Sequence, residues 1–427
     1  MTLNSAAINF RETAEFGADF GQLPMGSKGG AQRLLAGSDA PRAPVGLTLE
    51  LVTSRAQFDA LEDEWNELHG RVAPVSNPFL SFNWCWHWCN HFLGQGSGTQ
   101  LTILTGRRFG RLVMIWPMVQ QRVGSMTSLT WLGAPVSQYG DVLAEAGEGR
   151  ATLLELGWAY LRREVSADFI ALGKVRSDGT VAPLLNQLGL QITRRDAAPF
   201  VDLGRAPTYD AYAEKFSSSH RRRRRRSQRG LETRGEVGYI FQYEGNEARS
   251  LSQHILALKR RWLKDRGIVS SGLSDSRTAG FFGDVADGLG RPTGCRVLAL
   301  RCGDDIVAGE ISFAHNDSVS GHVMAFNVDY ERQSPGMFIT EDNLRLCKDF
   351  GYTRFDFMGP SEQHKLEWAD GVVELNDYAM ALSLSGALWV NGYLGWGRPR
   401  LKKLVNAVPQ GARAFIAKLH PALERLA

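Results

Sequence analysis

The chain has 427 residues, a formal net charge of +4 and 43% hydrophobic residues. This size and composition indicate an ordinary globular protein with enough apolar residues for two domains. The five cysteines are an odd set without a CxxC pair, which argues against a disulfide framework and against a zinc cluster. We therefore expect a protein of the reducing cytoplasm.

The first 46 residues contain no hydrophobic region of the kind that a signal peptide needs. They are rich in Gly, Ala and Ser and have few periodic apolar positions, so they cannot bury enough surface to offset the entropy of ordering. We expect a disordered leader over residues 1–46. The apolar runs elsewhere are strand-sized, so the sequence predicts no membrane-spanning helix.

Residues 47–204 predict an N-terminal domain of alternating strands and helices. The predicted elements are a strand over 47–52, a helix over 58–68, an aromatic helical stretch over 79–92, strands over 101–105, 112–119 and 128–132, a helix over 150–164, a strand over 168–172, a helix over 181–188 and a strand over 200–203. The three central strands predict an antiparallel meander.

Residues 205–385 repeat this order of elements, which indicates an internal duplication. The predicted elements are helices over 209–232 and 247–264, strands over 296–301, 306–314 and 321–328, a helix from Pro335 to about residue 350, and strands over 354–358 and 374–383. The motif Phe-Ile-Ala-Leu-Gly at 169–173 corresponds to Phe-Asp-Phe-Met-Gly at 355–359. A basic helical tail is predicted over 386–427.

A strand-to-helix turn near residue 334 is the strongest local signal for a binding site. It consists of Arg332, Gln333, Ser334, Pro335, Gly336 and Met337. The first turn of a helix offers unpaired N–H groups and the positive end of the helix dipole, and Gly336 lets a phosphate approach the backbone. The turn therefore predicts a pyrophosphate site. The alternative is a plain helix N-terminus capped by Ser334.

Ionisable residues follow the predicted strand 354–358, and strand ends are where open sheets bind ligands. Asp356 could orient an amine or hydroxyl nucleophile, and Lys365 could neutralise an oxyanion or a phosphate. His364 precedes Lys365 in the chain. The alternative is that Asp356 and Lys365 form an ordinary ion pair at the rim.

Six consecutive arginines, at 221–226, fall within a predicted amphipathic helix. Some of them must face the protein or a ligand, and an anionic acceptor or a phosphate-bearing donor would explain Arg222 and Arg226. A reader of RNA would also display aromatic side chains for stacking, which argues against nucleic acid. The alternative is a solvated basic face.

Other catalytic signatures are missing from the sequence. The nine histidines do not fall at metal-ligand spacing, and His87 and His91 lie among tryptophans. We find no GxSxG elbow, P-loop or GxGxxG fingerprint. The sequence therefore predicts no metal site and argues against a serine hydrolase, a nucleotide hydrolase or a dinucleotide-binding enzyme.

The motifs described above resemble those of the CelD-like (cellulose-biosynthesis) acetyltransferases, a branch of the GNAT superfamily related to the Fem-type transferases. The matching features are the Ser-Pro-Gly turn at 334–336, the Asp-Phe pair at 356–357 and the pair His364-Lys365. His364 stands where that family usually has tyrosine. The resemblance spans roughly residues 47–385.

This resemblance implies an α/β (α+β) fold of tandem GNAT-type domains, each a mixed, mostly antiparallel sheet flanked by helices. The first domain, 47–204, would be degenerate, and the second, 205–385, would bind acetyl-CoA or another acyl-CoA. Arg332–Met337 would hold the donor pyrophosphate, Asp356 or Glu310 would handle the acceptor proton, and Lys365 would meet developing charge. A glutamate that follows a glycine in a strand also commonly faces solvent, which is the alternative for Glu310.

The resemblance further implies an acyltransferase that acts on an amine or hydroxyl acceptor in exopolysaccharide biosynthesis, cytoplasmic or peripheral at the inner membrane. A Fem-like transfer from charged tRNA is the first alternative. A non-catalytic accessory protein of a polysaccharide synthase, with its basic tail on anionic lipid, is the second.

Overall fold

The computed structural model describes residues 45–72, 77–94, 96–268, 270–398 and 400. Most of the predicted leader (1–46), and the part of the predicted tail beyond residue 400, lie outside these described residues. Within them, every helix is too short or too polar to cross a membrane.

The first half of the chain contains nine strands and five helices among its described residues. The strands are β1 (Leu47–Val52), β2 (Thr99–Leu101), β3 (Ile103–Arg108), β4 (Arg111–Trp116), β5 (Met118–Val123), β6 (Met126–Trp131), β7 (Leu143–Ala144), β8 (Phe169–Arg176) and β9 (Gln191–Asp202). The helices are α1 (Arg55–Asp59), α2 (Glu62–Val72), α3 (Phe82–Phe92), α4 (Arg150–Glu164) and α5 (Ala182–Gln187). Ser54 and Gln57 form a capping box that starts α1.

The second half continues with six strands and eight α-helices in the described part, followed by a π-helix at Leu388–Gly397. The strands are β10 (Val237–Tyr243), β11 (Cys295–Cys302), β12 (Asp305–His315), β13 (Ser318–Phe326), β14 (Arg354–Asp356) and β15 (Gly371–Ala381). The helices are α6 (Tyr209–Ala213), α7 (Ser218–Glu232), α8 (Asn246–Asp265), α9 (Ser271–Ser274), α10 (Arg277–Asp287), α11 (Pro335–Asp349), α12 (Gln363–Leu366) and α13 (Leu384–Ala387). The single helix predicted over 209–232 is wrong, because the Ser217 side chain caps a new helix by accepting from the His220 N–H.

The strands form two sheets. The smaller has the order β1-β3-β4-β7, and the larger has the order β10-β11-β12-β13-β14-β9-β15-β8-β6-β5-β2. In the described part of the chain the parallel pairs are β6 with β8 and β13 with β14. The predicted fold class is therefore confirmed as α/β, with mixed, mostly antiparallel sheets flanked by helices.

The antiparallel pairing predicted for the meander in the first half is confirmed, because the run 101–105 pairs with 112–119 and the run 112–119 pairs with 128–132. The three runs do not lie in a single sheet, however. The run 101–105 is divided between β2 and β3, and the run 112–119 between β4 and β5, so that each run contributes to both sheets. Pro117 lies at the second division, where its lack of an N–H prevents a continuous hydrogen-bonded ladder. The strand periodicity is real, but it does not show that the chain passes from one sheet to the other.

The strand order supports the predicted internal repeat. Phe169 starts β8 and Phe355 lies in β14, and each of these strands pairs in parallel with the second strand of an antiparallel pair. The larger sheet nevertheless runs through both halves without a break, since β15 lies between β8 and β9. The domain boundary between residues 204 and 205 stays a prediction.

The two halves share a hydrophobic core in which Trp84 of α3 is central. Its fully buried indole meets the rings of Phe281 and Phe313 edge-on, with centroids 5.0 and 5.1 Å away. Both phenylalanines belong to the second half of the chain. On the outer face of α3, Trp86 is only partly buried, and its ring contacts the guanidinium of Arg291 at 4.7 Å.

We predict that Trp84→Ala lowers the free energy of unfolding by about 3–5 kcal/mol, because it leaves a cavity where the two halves meet. Trp86→Ala on the same helix removes surface contacts and should cost only about 1–2 kcal/mol. Urea denaturation followed by circular dichroism measures both losses. Equal losses in the two variants would contradict a core centred on Trp84.

Candidate active site

The defining feature of the site is a wedge between β13 and β14. Only Ser318, Val319 and Ser320 of β13 pair with β14, where their partners are Arg354, Phe355 and Asp356. The rest of β13 continues to pair with β12 alone up to Phe326. One backbone edge of β13 beyond Ser320 is therefore unpaired, which leaves its N–H and C=O groups available to a ligand.

The predicted turn 332–337 lies at the mouth of this wedge. After β13 the chain forms a short 3₁₀ segment, Val328–Gln333, and α11 begins at Pro335 as predicted. Ser334 occupies the capping position, but its backbone is left-handed, with φ 47° and ψ 52°, and its side chain makes no capping hydrogen bond. The N-terminus of α11 therefore lacks a side-chain cap, which leaves the positive end of the helix dipole open to an anion.

The structure brings the six predicted donor-binding residues together in this one turn. Arg332 is exposed and has no hydrogen-bond or ion-pair partner among the described residues. The Gln333 side-chain oxygen is buried without a partner. Met337 is buried, and a Cβ at Gly336 would only reach ordinary contact with the Met324 side chain at 3.8 Å. A substitution at Gly336 therefore probes a ligand rather than the fold.

Glu310 of β12 lies at the apex of the wedge. Its side chain is buried, and it accepts a hydrogen bond of 2.9 Å from the Asn343 amide of α11. The carboxylate fits because residue 321 is glycine, since a Cβ there would lie only 2.3 Å from the Glu310 Oε1. Burial raises the pKa of Glu310 to about 7. The solvent-facing alternative for this glutamate is therefore wrong, because α11 covers that face of the sheet.

A buried polar chain continues from Glu310 and is absent from the sequence prediction. Cys347 lies within 3.8 Å of the Asn343 Oδ1, and one Arg296 nitrogen lies 3.2 Å from the Cys347 sulfur. Arg296 is fully buried, and its other two guanidinium nitrogens have no hydrogen-bond partner among the described residues, although the group lies over the Phe241 and Tyr352 rings. The sequence signal was an arginine inside the apolar run Cys295–Cys302, a position where a charge is costly unless it is used.

Asp356 is buried and fully engaged. Its carboxylate accepts from the Tyr139 hydroxyl at 2.8 Å, from Arg176 at 2.6 Å and from the Met358 N–H at 2.7 Å. Arg176 also pairs with Asp178. The rim ion pair with Lys365 considered for Asp356 does not form, and the side chains that bind its carboxylate come from the first half of the chain instead. This geometry favours a structural role for Asp356.

Lys365 and His364 lie on α12, beside the end of β14. The Lys365 ammonium donates to the carbonyl oxygens of Met358 and Pro360 at 3.0 and 3.1 Å. Burial lowers the pKa of Lys365, and the nearby carboxylates of Glu362, Asp356 and Glu310 oppose this shift. His364 is exposed, with Nδ1 3.6 Å from the Glu362 carboxylate. Lys365 is therefore, with Arg296, one of two cations close enough to Glu310 to favour its ionised form.

The arginine run forms the central part of α7, and its members have different surroundings. Arg223 pairs with Glu367, and Arg224 pairs with Glu341 and lies against the Phe338 ring. Arg222 and Arg226 are exposed and have no partner among the described residues. The helix therefore uses some arginines for packing and leaves others free for a ligand.

The described residues contain no group of three or more His, Cys, Asp or Glu side chains arranged to hold a metal ion. His91 pairs with Asp284 at 2.7 Å, whereas His87 lies 3.1 Å from the Arg291 carbonyl oxygen. These two histidines have separate structural partners.

Residues 218–366 match the family model described as "Acetyltransferase (GNAT) domain". This segment contains α7, the wedge, Glu310, the turn 332–337 and Lys365. It covers about a third of the chain. The match confirms the prediction of a GNAT-type acyltransferase enzyme. No curated protein is similar enough to the sequence to count as a match.

Solved structures resemble the chain over most of its length. A conserved protein of unknown function from Bacteroides thetaiotaomicron is 13% identical with a TM-score of 0.49, covering 78% of this chain and 100% of that one. FemX is 10% identical with a TM-score of 0.49, covering 76% and 98%. A tandem GNAT protein from the clavulanic acid biosynthesis pathway is 13% identical with a TM-score of 0.46, covering 78% and 98%. Similarities this low carry no argument about activity.

We predict that Asp356→Asn lowers the free energy of unfolding by about 3–5 kcal/mol, because Arg176 is left buried beside a neutral side chain. Asp178→Asn removes the other partner of the same arginine, but the Asp178 side chain is 40% exposed, so the loss should be about 1 kcal/mol or less. Chemical denaturation compares the two. Unchanged stability in Asp356→Asn would contradict the structural role and return Asp356 to the list of catalytic candidates.

Proposed function

We propose that the protein transfers an acetyl or other acyl group from acyl-CoA to an amine or hydroxyl acceptor, with the wedge between β13 and β14 as the donor site. One observation carries this proposal. The unpaired edge of β13 joins an uncapped helix N-terminus at the mouth of the wedge to a buried carboxylate at its apex, all within the matched acetyltransferase domain.

The residues present fit an acyl-CoA. The N-terminus of α11 and the adjacent Arg332 would hold the pyrophosphate, because both are positive and neither has a partner that neutralises it among the described residues. The unpaired backbone edge of β13 can exchange hydrogen bonds with the two amides of a pantetheine chain. When bound, the donor supplies a thioester whose carbonyl carbon accepts a nucleophile.

The chemistry then needs a proton acceptor and a positive group beside the reacting carbonyl. The acceptor's nitrogen or oxygen forms a bond to the carbonyl carbon, and the carbon–sulfur bond breaks. The proton lost by the acceptor passes to the Glu310 carboxylate. Glu310 then returns this proton, directly or through solvent, to the departing thiolate, which leaves as the thiol and regenerates the carboxylate. Lys365 would stabilise the negative charge that develops.

The geometry supports our proposal of Glu310 rather than Asp356 as the proton acceptor. A base that must take and release protons near neutral pH works best with a pKa near that pH, which burial provides for Glu310. Asp356 is fully engaged by Tyr139 and Arg176. We propose that Asp356 holds the end of β14 in place.

The identity of the acceptor belongs to the same proposal. We propose a saccharide acceptor of cellulose-type exopolysaccharide biosynthesis and a cytoplasmic site of action, peripheral at the inner membrane, and both rest on the resemblance to the CelD-like acetyltransferases. Arg222, Arg226 and His364 stand as candidate substrate-binding residues. A tRNA-dependent transferase or a non-catalytic accessory protein would not need acyl-CoA, so donor binding separates the three functions.

We predict that Gly336→Glu weakens acetyl-CoA binding by at least about 100-fold, because a carboxylate at the α11 N-terminus repels the pyrophosphate. The matched control is Gly70→Glu, since Gly70 also lies in a helix and a Cβ there meets nothing within 4 Å. Isothermal titration calorimetry measures both affinities. Absence of binding by the folded wild type would overturn the acyl-CoA function in favour of the two alternatives.

We predict that Glu310→Gln lowers kcat by about 100-fold or more while the affinity for acetyl-CoA is kept, because the amide cannot accept a proton. The carboxylate must be ionised to act, so wild-type activity should rise as the pH increases through about 7 and then level off. The variant should lose this rise. Release of the CoA thiol with amine and hydroxyl acceptors measures the rate.

The exposed carboxyl of Glu67, whose side chain is 72% exposed, provides the control Glu67→Gln. That variant should keep the wild-type rate and pH profile. A Glu310→Gln enzyme with wild-type kcat would contradict the assignment of the proton acceptor, although the donor site could still be correct.

A further inference from the structure

Helix α7 lies across the mouth of the wedge. Towards its start, Arg223 is 3.3 Å from Glu367, which directly follows α12. Towards its end, Gly230 faces the turn, where a Cβ would lie 3.4 Å from the Gln333 side chain. Arg234, just beyond the helix, donates to the Asp329 carbonyl oxygen at 2.8 Å. The helix therefore spans the gap between the segment that follows β14 and the segment that follows β13.

The directions of the α7 side chains follow from helix geometry. Arg223 and Gly230 are seven residues apart, so they are separated by about 10 Å and point in nearly the same direction. Arg226 lies between them and points about 60° away from Arg223, whereas Arg222 points about 100° away. Arg225 points to the opposite side, about 160° away. Arg226 thus lies on the same side of α7 as Arg223 and Gly230, whereas Arg225 lies on the far side.

The charges around the mouth leave a positive surplus. Four of the nearby carboxylates are paired with arginines: Glu367 with Arg223, Glu341 with Arg224, Glu331 with Arg266 and Asp329 with Arg261. Arg222, Arg226 and Arg332 are exposed and have no partner among the described residues. An anion that reaches this place meets cations that no acidic side chain has neutralised.

Resting on the proposed donor site, we propose that Arg226, assisted by Arg222, binds the 3′-phosphate on the ribose of coenzyme A. The α11 N-terminus accounts for the pyrophosphate, so the nucleotide end of the donor leaves the wedge beside α7. A phosphate monoester carries a charge of about −1.5 to −2 at neutral pH, and a guanidinium binds it through two parallel N–H donors. The two arginines would select coenzyme A over analogues that lack this phosphate.

The test compares coenzyme A with 3′-dephospho-coenzyme A by calorimetry at one fixed ionic strength, because exposed charges are screened by salt. The wild type should bind coenzyme A at least about tenfold more tightly than the dephosphorylated form. In Arg222→Ala/Arg226→Ala this ratio should fall to about two or less, through weaker binding of coenzyme A alone. The matched control Arg225→Ala is also an exposed arginine of α7 without a described partner, and it should keep the wild-type ratio.

The possible results separate this inference from the function on which it rests. Tight binding of both compounds by the wild type, with a ratio near one, would overturn the inference and leave the donor site standing. Equal effects in the double variant and in Arg225→Ala would also overturn it, because a general positive field would then explain the preference. If neither compound binds to the folded wild type, the proposed function itself fails.

Discussion

The candidate site depends on the early separation of β13 from β14, and the buried carboxylate of Asp356 lies where the two strands part. Asp356 ends β14, and its bonds to Tyr139 and Arg176 draw the chain towards the first half of the protein. The next residue, Phe357, donates its N–H to the Pro199 carbonyl oxygen rather than to β13. A buried carboxylate between two such partners is expensive to displace. The unpaired strand edge of the wedge is destabilising, and an ion pair between the two halves of the chain compensates for it.

Burial also gives the site its chemistry. Glu310 is buried and Lys365 is partly buried, and desolvation shifts their pKa values in opposite directions towards neutrality. The neighbouring groups limit these shifts, since Asn343 donates to the carboxylate and Arg296 lies close enough to favour its ionised form. An exposed lysine or glutamate without such neighbours would have neither the shifted pKa nor the groups that limit the shift. Gly321, which leaves room for the carboxylate, and Asn343, which donates to it, thus set the surroundings of the group that we propose as the base.

The sequence predicted the parts of the site that local spacing controls and missed the parts that depend on distant partners. The start of α11 at Pro335 and the arginine helix follow from turn chemistry and periodicity, which act over a few residues. The role of Asp356 could not be read in this way, because Arg176 lies 180 residues away. The burial of Glu310 depends on which helix covers its sheet face, and β12 alone does not show this. The division of residues 101–119 between two sheets could not be predicted for the same reason, because periodicity shows which faces of a strand are apolar but not which strands lie beside it.

Helix α7 illustrates why composition alone is a poor guide to the function of a charged segment. Six adjacent arginines point in all directions around a helix, so they cannot form one binding surface. Arg224 is held against α11 by Glu341, and Arg223 is held against the end of α12 by Glu367. These pairs hold the helix against both sides of the wedge. The direction in which Arg226 points can be related to the wedge only because the helix is held in this way. The arginines that pair with acidic side chains therefore fix the position of the helix. The arginines that have no such partner among the described residues are left available to an anionic substrate.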